Sequence, residues 1–414
     1  MKQQAGWQAS LEDPFRAELL AVGDALPERV RECAEPLRGE PAFDLEEIAR
    51  IAQAIRLPAE VRFEHPFLER SVRVRLAHIE ATFQSDHPKY GVGAYAEACH
   101  DGFPPTIIAA VDALTLWDMP VRAERLFAYW LANFVREDGT LRYYGPSLSE
   151  YGQLLTTARR LMERGGTPEW FRQNRSTLAR IAAYLQDGMR RNGSIALLSG
   201  APEADTCHET ATYFHNNAWI VRGLDDWADL IANHPESWQQ AHQIHEEASI
   251  LRRLLLEAIE ATWPHTPQEW WLRPTLEPEA ALGLEPPRTQ VTETHLGSYT
   301  NYRYWPELLS SGVLPRALME RVVSARLQFG GQFCGMTRFA DHLDDWPLME
   351  WLEALWQLDR HADYRLSLWG HLAYHQAEGH LTAYEQVTFP PGRKVADYCL
   401  PCQLVAARAL RRLV

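Results

Sequence analysis

The residues of this chain best suited to do chemistry are carboxylates set among aromatic rings. Asp101, Glu150, Asp205, Glu209, Glu293, Asp341, Asp344, Asp345, Glu378 and Glu385 fall in connecting segments, with Trp, Tyr, His and Asn between them. Cleavage of a glycosidic bond needs that combination. One carboxylic acid protonates the departing oxygen, a second carboxylate takes a proton from a water on the far side, and rings stack on the faces of the sugar. The chain carries 15 Trp, 15 Tyr and 14 Phe. So aromatic a chain either has a core built of rings or presents rings to a ligand.

Other spacings point elsewhere with less force. His371 and His375 stand four residues apart, with His380 beyond them, a spacing that suits a metal. No H-E-x-x-H is present, and His242-Gln243-Ile244-His245-Glu246-Glu247 does not fit the metalloprotease patterns. The expectation is therefore no metal and no cofactor, with these histidines packed or touching sugar. Cys399-Leu400-Pro401-Cys402 has the spacing of a redox pair or half a zinc site. It has no second pair and no preceding βαβ unit, and is read as the start of a helix. Tyr213, His215, Asn216 and Asn217 could instead serve a lyase, abstracting a proton beside a uronate carboxylate.

With 41 basic and 55 acidic residues, the 414-residue chain has a formal charge of −14. That balance argues against a nucleic acid or an anionic membrane as partner, and against a polyanionic substrate. No apolar run follows Met1-Lys2-Gln3-Gln4-Ala5-Gly6, and no stretch approaches the ~20 apolar residues of a membrane span. Six scattered cysteines at this length suggest a reduced, cytoplasmic protein.

The elements that must position these groups are helices. Periodicity predicts them over 67–83, 105–117, 121–135, 149–164, 169–186, 217–232, 238–261, 315–328, 347–358, 362–377 and 401–413. They are of two alternating kinds. One is apolar all round and entered from a loop rich in rings and polar groups; the other is amphipathic. The six entries are His100–Pro104, Tyr144–Ser147, Tyr213–Asn216, Tyr299–Tyr302, His342–Trp346 and Asp397–Leu400. Six buried helices alternating with outer ones make an all-α, closed double ring, the (α/α)6 toroid, whose entries gather at one end. Residues 1–60 are expected to form a helical leader packed on a single toroid spanning 61–414. The proline-rich stretch 264–289 reads as a surface excursion, 291–295 as a short strand, Tyr302 as a stacking platform, and Asp344-Asp345-Trp346 as a helix cap or sugar contact.

On these residues the chain resembles the six-hairpin glycosidases: glucoamylases, trehalases, glycosyl-glycerate hydrolases and relatives. Leu381-Thr382-Ala383-Tyr384-Glu385-Gln386-Val387, followed by Tyr398 and the last helix, is similar to the loop that carries the family's base, which implies that role for Glu385. The acid of the family lies ahead of the middle inner helix, in the stretch running here from Glu203 to Trp219. Counting back from Asn217 favours Asp205; proximity favours Glu209. Residues 101–153 resemble the first two hairpins of glucoamylases, with one departure. The Trp-Pro-Arg-Asp box that grips terminal glucose is replaced by His100-Asp101-Gly102-Phe103-Pro104-Pro105, so specificity for an α-glucoside is not implied. The resemblance implies an inverting hydrolase acting on a small carbohydrate. Contacts are expected from Asp101, Phe103, Tyr144, Glu150, Tyr151, His215, Asn216, Asn217, Tyr302, Asp345, Trp346 and His375. A lyase, an epimerase or a non-catalytic binding ring would use the same fold, and self-association is compatible with any of them.

Overall fold

The structure, a computed structural model, describes residues 20–31, 43–143, 145, 147–203, 209–263, 269–376, 381–389 and 391–414. In chain order its main helices are α1 (Leu45–Ala54), α2 (Pro66–Thr82), α3 (Pro104–Leu116), α4 (Pro120–Phe134), α5 (Leu148–Glu163), α6 (Pro168–Met189), α7 (Phe214–Ala232) and α8 (Trp238–Thr262). Then come α9, a composite described below, and α10 (Arg316–Gln328), α11 (Leu348–Gln357), α12 (His361–Tyr374) and α13 (Leu400–Leu410).

Local sequence explains both the starts and the layers. Proline occupies the first turn of α2, α3, α4, α6 and α13, where its missing N–H costs nothing and its fixed φ suits the helix. In α3 every residue from Pro104 to Thr115 is buried, and in α13 all from Leu400 to Leu410 are. Neither has a solvent face, so each must lie inside. By contrast α4 buries only Ala123, Leu126, Phe127, Trp130 and Leu131, a single stripe, and exposes Arg125.

The inner helices α3, α5, α7, α9, α11 and α13 each touch the next, and α13 returns to touch α3. That contact closes the ring. Outside it, α2 and α12 pack on α13, α4 on α3, α6 on α5 and α8 on α7. The tightest inner pair is α5 with α7. A β-carbon at Gly152 would overlap the Trp219 carbonyl, and one at Gly223 would overlap Gly152, so glycine at both positions is what lets the axes approach. In the leader, α1 is capped by the Asp44 carboxylate and packs on α2.

Three expectations change. First, Tyr299–Tyr302 is not a loop. It lies inside α9, which runs His295–Tyr299, then a π-turn at Thr300–Tyr304, then Trp305–Ser310. Pro306 offers no N–H to the preceding turn, and the helix widens just before it. Second, the expected strand at 291–295 is a 3-10 turn, Val291–Glu293, closed by a reciprocal Gln290–Glu293 capping box. Third, the described part of the proline-rich stretch is no mere excursion. Trp271 is fully buried, Trp305 donates to the Leu272 carbonyl at 2.9 Å, and Phe214 at the start of α7 donates to the Pro274 carbonyl at 2.9 Å.

A small antiparallel sheet sits among the helix entries, with strands in the order β1 (Gln332–Phe333), β2 (Met336–Phe339), β3 (His342–Asp344) and β4 (Gln386–Thr388). Its register pairs Asp344 with Gln386, which brings the Asp344 and Glu385 segments together.

Candidate active site

Side chains from the inner-helix entries and from this sheet form two walls. The first is built on Glu385, the residue before β4. Its backbone N–H donates to the Asp397 carbonyl at 3.1 Å, fixing the turn. Tyr90 donates its phenol hydrogen to Glu385 Oε2 at 2.7 Å, and Tyr95 and Cys399 also hydrogen-bond the carboxylate. Burial pushes the Glu385 carboxyl up to about 8, against the pull of these donors. Asp344 is fully buried beside it and is pushed well above the usual carboxylate range, first by burial and then by the Glu385 charge. Gln386 Nε2 holds Asp344 Oδ2 at 3.0 Å. Rings close this wall: Phe103 lies 5.3 Å from Tyr90, 5.0 Å from Tyr143 and 5.7 Å from Trp346, centroid to centroid.

The second wall is built on Arg303, fully buried in the π-turn of α9. Its Nε meets Glu307 at 2.7 Å, one Nη meets Glu150 at 3.4 Å and the other meets Glu203 at 3.4 Å. The guanidinium lies 4.1 Å over the Trp346 ring. His215 stacks on Tyr304 at 4.8 Å, with its Nε2 3.8 Å from Glu307. Burial, aided by Arg303, holds that imidazole well below its usual pKa, so it stays neutral. The Glu150 carboxyl is pushed up by burial, with Arg303 opposing.

Tyr302 connects the walls. It packs 6.2 Å from Trp346 and 5.2 Å from Phe339, and burial raises its phenol together with the charges of Asp344 and Glu385 on one side and Glu203 on the other. Both sets of carboxylates therefore lie within electrostatic reach of one buried phenol.

Solved structures share this architecture. A glycosidase aligns over 90% of this chain and 99% of its own, with TM-score 0.57 at 13% identity. A bacterial glucoamylase complexed with acarbose aligns over 83% of this chain, with TM-score 0.55 at 11% identity, and the match spans about half, 55%, of that longer protein. The glucoamylase of Saccharomycopsis fibuligera aligns over 87% of this chain and 98% of its own, with TM-score 0.53 at 10% identity. The chain has the six-hairpin glycosidase fold. No protein-family model matches the sequence, and no curated protein matches it.

Within the six-hairpin fold, Glu385, Phe103, Glu150, His215, Tyr302 and Trp346 stand on the two walls. Asp205 and Tyr144 lie outside the described residues. Glu209 is placed by its backbone carbonyl, which accepts from the Tyr213 hydroxyl at 3.1 Å. Four residues expected to touch sugar do other work. Asp101 is held by His87 at 2.7 Å and Lys89 at 2.9 Å. Tyr151 stacks on Tyr184, and its hydroxyl accepts from the Leu141 N–H at 3.3 Å. Asn216 accepts from the Ser149 N–H at 3.1 Å, and Asn217 spends its amide on the backbone of Leu198 and Tyr213. Both asparagines clamp loops to the start of α7.

The paired aspartates also exchange roles. Asp345, expected in the site, points behind it to the His371 ring at 3.0 Å and the Thr337 N–H at 2.9 Å. Asp344 takes the place beside Glu385. The pair ends a strand rather than opening a helix, and consecutive residues of a strand face opposite sides. His375 stands on the Asp345 side, its Nδ1 2.7 Å from the Tyr384 carbonyl. Tyr90, Tyr95, Glu203, Arg303 and Glu307 were not expected. The one signal that could have pointed to Arg303 is an arginine amid the Tyr299–Trp305 aromatic run.

Proposed function

We propose that this protein is a glycoside hydrolase cleaving a small oligosaccharide or glycoside with inversion, Glu385 acting as base and the acid coming from Asp205 or Glu209. The observation that carries the reading is the Tyr90–Glu385 hydrogen bond in a ring-lined space faced by a second set of carboxylates. Phe103, Tyr302 and Trp346 offer flat apolar surface of the kind that packs on a sugar face. Glu150, Glu203 and Glu307 offer acceptors for sugar hydroxyls, held in place by Arg303. Glu203 is read as a positioning group, because its oxygen is already engaged by that guanidinium.

As a base, Glu385 works only when deprotonated. With its carboxyl raised to about 8, kcat/KM should climb with pH up to that region. The lyase alternative has less support. Asn216 and Asn217, which would neutralise a uronate, are spent on backbone, and the walls carry several carboxylates for one arginine. The test is a panel of aryl and natural glycosides, with NMR of the first anomer formed. Hydrolysis with inverted configuration is expected. A retained configuration, or an unsaturated product from uronic-acid polymers, would overturn the assignment.

A further inference from the structure

Behind the Glu385 wall lies a cluster that the proposed reaction does not use. His371 belongs to the last turn of α12 and His375 is its C-cap; Cys402 lies in the first turn of α13. All three are fully buried. One donor atom from each lies within 4.8 Å of the other two. The two imidazole rings are nearly parallel, 19° apart with centroids at 5.6 Å.

Each imidazole is oriented through Nδ1. That of His371 meets Asp345 Oδ2 at 3.0 Å, and that of His375 meets the Tyr384 carbonyl at 2.7 Å. Both Nε2 atoms are buried with no hydrogen-bond partner among the described residues. A histidine that ligates metal characteristically gives its other nitrogen to a carboxylate or a backbone carbonyl, which fixes ring and tautomer. Both partners are present here. The Asp345 Oδ2 atom also lies 3.9 Å from His375 Nε2, so this carboxylate reaches both rings. The Cys402 Sγ lies 3.2 Å from the same Tyr384 carbonyl and 4.0 Å from the His375 ring nitrogen Nδ1.

We propose that His371, His375 and Cys402 bind a single Zn²⁺ that ties α12 to α13 beneath the base loop, with Asp345 holding the His371 ring from its Nδ1 side. The donor chemistry, two imidazoles and a thiolate, is that of zinc with its fourth position left to water. Zinc bonds of about 2.0–2.3 Å leave neighbouring donors roughly 3.5 Å apart, so the donors need to close by about 1 Å. Binding requires neutral imidazoles and a thiolate, so uptake of the metal releases protons. The inference departs from the expectation of no metal drawn from the sequence. It depends on neither the substrate nor the activity.

The test is to produce the full chain in medium supplemented with zinc and, separately, with cobalt. Metal content is measured by mass spectrometry and cobalt ligation by absorbance. About one zinc per chain is expected in the wild type and under about one tenth in His371→Ala. The cobalt protein should show a thiolate-to-metal charge-transfer band that is lost in Cys402→Ser and kept in Cys99→Ser, whose cysteine is exposed. Circular dichroism reports whether each variant folds; if Cys402→Ser does not, the wild-type zinc content and cobalt band decide alone. Wild-type protein with less than about a tenth of an equivalent of zinc and no cobalt band would overturn the proposal. So would a band that survives Cys402→Ser. Either result would leave the cluster as packed, metal-free side chains.

Discussion

The two walls use the same functional group under opposite electrostatic rules. Around Arg303, three glutamates share one buried guanidinium, and each charge has a fixed partner. Around Glu385, two carboxylates lie together with phenols and thiols as neighbours and, among the described residues, no guanidinium bonded to either. Burial raises the carboxyl on both sides, but at Glu150 a guanidinium charge opposes the rise, whereas at Glu385 hydroxyl and thiol donors do. One wall is therefore suited to holding charge still and the other to moving a proton. Tuning neighbouring carboxyl groups to different tasks is how one pocket does acid and base chemistry.

The strongest way to break this contrast is Glu385→Gln. We expect turnover to fall about 10³-fold with little change in KM. Activity within a few-fold of wild type would remove Glu385 from the chemistry. Next in size is Arg303→Met, which strands Glu150, Glu203 and Glu307 without a countercharge. It should cost about 3–5 kcal/mol of stability, read by chemical denaturation. If Arg303→Met were as stable as Glu385→Gln, the two walls would not differ as described.

Smaller effects sharpen the comparison. Tyr90→Phe removes a donor that favours the Glu385 carboxylate. Turnover should drop about tenfold or more, and the rising limb of the pH–rate profile should move to higher pH. An unmoved limb would dissociate Tyr90 from the titration. The smallest effect is on stability. Folded Glu385 keeps its proton up to about pH 8, whereas the ordinary value is 4.5. The folded state thus binds more protons between these values, and stability falls as pH rises through that window. Below it nothing is lost. Glu385→Gln should match the wild type near pH 4 and melt about 1–3 °C above it at pH 9. A difference confined to acid pH would reverse the sign.

Much of this molecule could be read from its residues. The inner helices are apolar all round, and their prolines and glycines mark the ends, so the ring and its entries followed from periodicity. The helix α9 did not, because Pro306 inside it looks like a boundary. The sheet did not, because strands of two to four residues are too short to establish an alternation. That omission carries straight into the site: without β3, nothing in the sequence separates the side that Asp344 faces from the side that Asp345 faces. Tyr90 and Tyr95 lie in an irregular stretch with no period to place them. Arg303 draws on Glu307, four residues along its own helix, but also on Glu150 and Glu203 from two distant segments, and no local pattern connects those two to it.

The π-turn in α9 has a consequence of its own. On an α-helix, consecutive side chains diverge by about 100° and serve different surroundings. In the wider turn they diverge less. Tyr302 and Arg303 are adjacent in sequence, yet both reach the Trp346 ring, one tilted against it at 6.2 Å and the other from above at 4.1 Å. The turn thus indexes two functions to a single register. The proton-moving wall and the charge-holding wall share a backbone segment of five residues, and whatever shifts one must carry the other with it.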